Sequence, residues 1–323
     1  MSSGTDVNQI EITSLSHISG QPQVQELLRV NLDAYFTNRA NNTASSFGPV
    51  ILVGPSGTGK TLVAKAIHCE LANLNIIETN GEMLTVSEIT AALISADNET
   101  TIFIDEAQAM DTRTQHILLT AISEGKVFTP KGKNGKGKYT IPLANFTLIL
   151  ASTHEYQLQD ALRNRMRIYC RFNYYSIDDL IGIVKQRADA LKWEYESLDV
   201  LAEIAKRAKH TPRLALNRNL QMAYNVCSSD NRSVITKSDI IQAFKLLEID
   251  ELGLDSLERS YLKELNKHKS MKLNVIASKI GLPSRTVASV IEPYLLRQEL
   301  IEKISSDRTI TDKGRDHIEK TKS

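Results

Sequence analysis

The stretch that most constrains this chain is PVILVGPSGTGKT at 49–61, a short apolar run followed by a glycine-rich loop that ends in lysine and threonine. Gly54, Gly59, Lys60 and Thr61 satisfy the spacing G-x-x-x-x-G-K-[ST]. Phosphate oxygens carry dense negative charge and need several backbone N–H donors converging on them. A tightly curled, side-chain-poor loop at a helix N-terminus supplies them. Gly57 and Gly59 permit that curl. Lys60 is expected to reach the β/γ-phosphates, and the Thr61 hydroxyl to take one position on a Mg²⁺ otherwise held by water and phosphate oxygens. The context agrees: Val50–Val53 predicts a buried strand, and Leu62, Val63, Ala66, Ile67 and Leu71 recur at helical spacing.

A strand predicted over Thr100–Glu106 delivers two carboxylates at its end, 45 residues after Lys60. Hydrolysis of a nucleoside triphosphate needs one carboxylate in the metal shell and one to polarise an attacking water, roles that fit Asp105 and Glu106. A further buried strand, Phe146–Thr153, emerges with hydroxyls at Ser152 and Thr153, in reach of a γ-phosphate or its water. Three arginines follow on alternate positions in LRNRMRIY at 162–169. Arginine's permanently cationic planar fork suits transition-state charge, although composition alone fits a surface cluster as well.

The bulk charge restricts partners only weakly. There are 39 basic and 38 acidic residues, a net charge of +1, so any nucleic-acid footprint must be local. Asp255–Ser323 carries 14 basic against 10 acidic residues, leaving the rest of the chain negative. No run approaches the length of a membrane span, and Met1–Thr13 lacks the basic-then-apolar order of an export signal. A soluble, cytoplasmic protein is expected. Cys69, Cys170 and Cys227 are odd in number and far apart, suggesting neither disulfides nor a metal site.

The patterning predicts a disordered N-terminus at 1–13, a large phosphate-loop domain at 14–175, a helical domain at 176–252 and a third domain at 253–323. In the first domain, Lys126–Leu143 predicts a hairpin turning at Asn134-Gly135. Its five lysines, Lys126, Lys131, Lys133, Lys136 and Lys138, have no evident compensating acid, which suits a solvated tip or a DNA or partner contact equally. Arg213, in Thr211-Pro212-Arg213, opens a helix and points either at a nucleotide or at solvent. Three helical patterns after Gly253, then Leu300–Ile304, a loop and Thr309–Ile310, have the layout of a winged helix. Ser284–Tyr294 is its groove-facing helix and Ser305–Arg308 its wing tip.

Together these residues resemble the RuvB-type AAA+ ATPases, motors of Holliday-junction branch migration. The similarity runs from ISGQPQV at 18–24 to the C-terminus. GPSGTGKT and FIDEAQAM are generic to many ATPases, whereas FTLILASTHEY, ALRNRMRI, His210–Arg213 and above all IEPYLLRQELIEK at 291–303 are more diagnostic. The resemblance implies an α/β AAA+ domain with a parallel sheet, a small all-α lid and a winged helix.

It also implies roles. Thr153 matches the sensor on the strand after the acidic pair, and Arg165 the arginine finger that enters a neighbouring subunit's nucleotide site. Arg213 matches the second sensor, Tyr175 a nucleotide-contacting tyrosine, and His17 with Ile18 the adenine-side wall. Gly54, Gly57, Thr58, Gly59, Lys60, Thr61 and Leu62 complete the expected nucleotide contacts. Lys303 and Arg308 fall on the wing's DNA-contacting positions. The implied cofactors are ATP and Mg²⁺, and the implied partners are duplex or junction DNA, further copies of the chain in a hexameric ring, and a RuvA-like junction-binding protein docking on the hairpin.

Departures are Ser56 and Thr58 in the loop, a wing poor in arginine, and Gln108-Ala109 where the family often carries His-Arg. The expected activity is ATP-driven branch migration. A nucleotide-regulated DNA-binding or assembly factor that does not translocate is the alternative, and retention of both Asp105 and Glu106 favours the motor.

Overall fold

A computed structural model of the chain describes residues 4–41, 46–130, 138–268 and 270–320. It divides into two compact units, one of residues 10–179 with 211–213, the other of 4–9 with 180–210 and everything described from 214 onward.

The first unit is built on five parallel strands: β1 (Val50–Val53), β2 (Asn75–Asn80), β3 (Thr100–Asp105), β6 (Thr147–Ser152) and β7 (Ile168–Arg171). Their order is β2-β3-β6-β1-β7. Strands β4 (Lys126–Pro130) and β5 (Lys138–Pro142) form the predicted hairpin as a separate antiparallel pair. β1 is apolar throughout because both its faces are covered, as expected for a parallel sheet. Val50 and Leu52 pack with Leu28, Val63 and Ile67 of helices α1 (Pro22–Ala40) and α2 (Lys60–Glu70). Ile51 and Val53 face the opposite way, onto Ile89, Leu93 and Leu118 of α3 (Val86–Ser95) and α4 (Thr112–Glu124).

Local sequence sets the helix limits. Thr85 and Glu88 form a reciprocal capping box on α3. Asp111 accepts the Thr114 N–H at the start of α4, and Gly125, at φ 61°, ends that helix in the left-handed conformation glycine tolerates.

The register levels the strand ends. Val53 pairs with Ser152, and Ile104 with Leu150, so the loops after β1, β3 and β6 leave the same edge of the sheet. In open parallel sheets ligands bind at this carboxyl edge. Residues 168–171 form a strand that the arginine-rich sequence does not announce, since only Ile168 and Cys170 of its four residues are fully buried.

In the second unit, the part of helix Ile177–Leu191 from Leu180 onward makes a small helical body with helices Leu198–Lys206, Gln221–Ser229 and Lys237–Leu246. Two dipeptide strands, Glu194–Tyr195 and Val234–Ile235, pair within it and are too short to leave a sequence pattern. Gly4–Gln9 packs against this body, which corrects the disorder expected there, while residues 1–3 of that segment lie outside the described residues. Val7 is 2% exposed, its N–H is accepted by Gln221 Oε1, and its carbonyl accepts Arg187. Trp193 Nε1 donates to the Gly4 carbonyl.

The same unit contains the winged helix: helices Ser256–His268 and Leu273–Ile280, a helical stretch over 284–297, and strands Ser270–Lys272, Ile301–Ile304 and Asp307–Ile310. The helical stretch widens to a π-turn over Val287–Ile291, just ahead of Pro293, whose ring cannot sit over a regular preceding turn. A first strand and a closing helix, Asp312–Lys320, add to the sequence reading. Lys209 pairs with the buried Glu258 and Arg297 donates to the Lys209 carbonyl, joining helical body and winged helix. No helix among the described residues is long and apolar enough to cross a membrane.

Candidate active site

The loop after β1 has the backbone that its glycines predict. Gly54, Gly57 and Gly59 have φ of 149°, 78° and 99°, and a Cβ on Gly54 would stand 2.5 Å from the Phe172 carbonyl oxygen. Gly54 N donates to Ser152 O, tying the loop to the end of β6. Thr58 is fully buried, its Oγ1 donating 2.8 Å to Pro55 O. Lys60 starts α2, with Leu62 half-buried on the first turn.

The Lys60 ammonium folds back on the loop, donating to Gly54 O at 2.8 Å and Pro55 O at 2.9 Å. Burial pushes it below the ordinary lysine range, with Arg213 adding to that and the Glu106 and Asp105 carboxylates opposing. These carbonyl contacts are neutral substitutes for the phosphate oxygens that a desolvated cation needs.

Thr61 Oγ1 donates 2.7 Å to Asp105 Oδ2 across the strand ends. No group of three or more His, Cys, Asp or Glu among the described residues would hold a metal by itself. A hydroxyl and one carboxylate suit Mg²⁺, which takes one or two protein oxygens and fills its shell from phosphate and water. Glu106 follows with φ 46°, and Thr153 Oγ1 lies 3.1 Å from Glu106 Oε2. Lys60, Thr61, Asp105, Glu106 and Thr153 are therefore one constellation.

Arg213 joins it. Its Nη1 donates 3.1 Å to Ser56 Oγ, and its backbone N–H donates to Gly57 O. Tyr175 is 5% exposed and donates 3.0 Å to Thr58 O, and its ring lies against Gly20. Burial pushes its phenol up to about 12. His17 ends a short turn, Leu15–His17, held by Ser14 Oγ and Leu15 N donating to Glu70, and Ile18 packs on the core cluster that includes Phe172.

The three arginines of 162–169 separate. Arg163 bonds Asp160 and lies over Tyr156, and Arg167 reaches Ser46. Arg165 is exposed, and its side chain has no bonded partner among the described residues.

The contacts of two further positions at the site are not legible in the sequence. Gln108 connects Glu106 to Thr153, donating to the carboxylate and, at 2.9 Å, to the hydroxyl. Its contacts exist only once β3 and β6 are adjacent. Gln21 exchanges two hydrogen bonds with the Asn173 backbone, fixing the segment that carries Tyr175. Its place within ISGQPQV is the available signal.

The wing differs from expectation. Its tip is Ser305-Ser306, with Ser305 at φ 56°, and Arg308 lies inside the second strand, directly opposite Lys303. Opposed residues share a face, and two cations so placed repel. Glu292, fully buried, stands between them: Arg308 Nε is 2.8 Å and Lys303 Nζ 2.9 Å from its oxygens, and Tyr261 OH donates at 2.9 Å. The Arg308 side chain is 13% exposed against 42% for Lys303. Arg308 is thus committed to an internal pair.

On the hairpin, Lys126 does have an acid, Glu124, at 2.7 Å. Phe128 and Tyr139 are exposed on its strands. Lys131, Lys133, Lys136 and Asn134-Gly135 lie outside the described residues, as does the Lys138 side chain.

Comparison with known proteins agrees with this fold. Residues 10–172 match the family described as the Holliday junction DNA helicase RuvB P-loop domain, 175–250 the RuvB AAA lid domain, and 251–319 the RuvB C-terminal winged helix domain. Similar relatives include the Holliday junction branch migration complex subunit RuvB of Thermotoga maritima, 31% identical over 313 residues, 94% of this chain and 90% of that protein. The protein of the same name from Mesomycoplasma hyopneumoniae is 30% identical, covering 96% of each chain. A solved structure of the Thermotoga maritima RuvB Holliday junction branch migration motor superposes with a TM-score of 0.80 at 28% identity, over 96% of this chain and 98% of that one. With all three domain models matched in order along nearly its whole length, the chain belongs to the RuvB family.

Proposed function

We propose that this protein is an ATP-hydrolysing motor that drives branch migration of four-way DNA junctions. The observation that carries the reading is the convergence of Lys60, Thr61, Asp105, Glu106, Thr153 and Arg213 around one phosphate loop. In this reading ATP lies with its triphosphate on residues 54–62 and its base toward His17, Ile18 and Tyr175. Mg²⁺, held by Thr61 and Asp105, supplies charge neutralisation on the phosphates when bound. Lys60 leaves its carbonyl partners for phosphate oxygens, Glu106 orients the attacking water, and Thr153 and Arg213 meet the γ-phosphate. Catalysis is positioning plus preorganised charge.

The finger role belongs to Arg165, supported by its exposure and by its having no side-chain partner among the described residues. It acts in a neighbouring copy, so the active form is an oligomer, read here as a hexameric ring. Lys303 contacts DNA phosphate from the wing, and Arg308 shapes the wing from within. The hairpin docks a RuvA-like junction-binding protein, with Phe128 and Tyr139 as apolar anchors. We place the protein in the cytoplasm, in company with its DNA substrate.

The test is conversion of a synthetic four-way junction to duplex products by the purified protein, with ATP and with a non-hydrolysable analogue. Conversion with ATP alone supports the motor. Junction binding without conversion, even with a junction-binding partner added, contradicts it.

A further inference from the structure

Gln108 sits on the turn Ala107–Ala109, immediately beyond β3 and two residues after Glu106. Its Nε2 donates to Glu106 Oε2 and to Thr153 Oγ1, while its Oε1 accepts the Thr153 N–H at 3.3 Å. Thr153 Oγ1 approaches the same Glu106 oxygen, which closes a three-residue ring. Glu106 Oε1 has no bonded partner among the described residues.

The main chain beneath is equally fixed. Gly81 N donates 2.8 Å to Asp105 O, and a Cβ at Gly81 would stand 2.5 Å from Glu106 O. Backbone and one carboxylate oxygen are thus held, and the other oxygen is left to accept. A carboxamide suits this task because toward a carboxylate it only donates, and it neither takes nor gives up a proton near neutral pH.

We propose that Gln108 is a positioning residue for hydrolysis, aiming the Glu106 carboxylate at the attacking water and tying that aim to Thr153. The inference rests on the ATPase reading above. In the step it serves, water gives a proton to Glu106 as its oxygen bonds to the γ-phosphorus. The bond from that phosphorus to the bridging oxygen breaks, and its electron pair leaves with ADP. Gln108 exchanges no atoms. When γ-phosphate engages the Thr153 hydroxyl, Gln108 remains on Glu106 Oε2, so the carboxylate keeps its direction while Oε1 meets the water.

The test compares steady ATP turnover and nucleotide binding of the full chain with Gln108→Met, Glu106→Gln and the double variant. Methionine keeps the length of glutamine and removes both amide bonds. Gln108→Met is expected to lower kcat about 10–100-fold, part of the 10²–10⁴ that a well-placed base contributes, with KM for ATP within about twofold. On the Glu106→Gln background the same change is expected to cost nothing further, because the carboxylate it aims is gone. Wild-type kcat in Gln108→Met overturns the proposal, and so does an equal loss on both backgrounds. Absence of turnover in the unaltered protein is a different result: it removes the ATPase reading, and this inference with it.

Discussion

Thr61 Oγ1 lies 2.7 Å from Asp105 Oδ2, although the two residues are 44 positions apart and belong to different strand–helix connections. Level ends of β1 and β3 produce this contact, and it brings together the only two side chains the motif logic assigns to Mg²⁺. Replacing Thr61 by Val, which keeps shape and removes the hydroxyl, is expected to raise the Mg²⁺ needed for half-maximal ATP turnover by roughly 10–100-fold, the size of a lost charge-assisted hydrogen bond. A Mg²⁺ titration checks this; an unshifted midpoint would detach Thr61 from the metal.

Tyr175→Phe removes the hydrogen bond to Thr58 O and leaves the ring against Gly20. Nucleotide affinity is expected to fall by roughly 2–10-fold. Because burial raises the phenol to about 12, the hydroxyl stays protonated throughout the ordinary assay range. The ratio of wild-type to variant affinity should therefore be constant from pH 6 to 9, and a ratio that changes across that range would show the phenol ionising there.

Glu292 is expected to make the winged helix acid-sensitive. Burial works to raise its carboxyl, but bonds from Arg308, Lys303 and Tyr261 outweigh that and hold it below the ordinary glutamate range. A depressed folded value contributes stability that is complete above the unfolded value of about 4.3 and is lost as pH falls through the folded one. Amide-exchange protection of Tyr261–Leu265 should decline below about pH 4 in the wild type and be flatter in Glu292→Gln. Arg308→Ala, which strands part of a buried charge, should cost roughly 3 kcal/mol at neutral pH.

Lys303 is the wing cation that keeps its exposure. Lys303→Ala should reduce the slope of log affinity for duplex DNA against log salt by about one, as for a single phosphate contact. An unchanged slope would move the phosphate contact to another surface.

Sequence reveals the phosphate loop because everything that defines it lies within thirteen consecutive residues, and chemistry restricts each position. Asp105 and Glu106 are legible for the same reason, as a buried strand ending in carboxylates. Gln108 is not, since a glutamine on a turn has no pattern of its own and gains meaning only from Thr153 across the sheet. Arg308 misleads: near a predicted loop an arginine suggests a solvent-facing cation, whereas strand pairing with Lys303 turns it onto a buried glutamate. Val7 escapes because one apolar residue in a polar stretch carries no period, yet the helical body encloses it.

The proposed hydrolysis needs a site completed across a boundary between copies. Arg165→Ala should bind ATP normally and lose about 10³–10⁵-fold in turnover, and Glu106→Gln should keep only a residual turnover, about 10²–10⁴-fold below the wild type, for lack of its carboxylate. Steady ATP turnover of the two variants mixed in equal amounts is the most direct measurement. Activity well above either variant alone is predicted, because mixed interfaces join an intact Glu106 to an intact Arg165. A mixture no more active than its components, or an Arg165→Ala protein that turns over at the wild-type rate, would contradict the shared site.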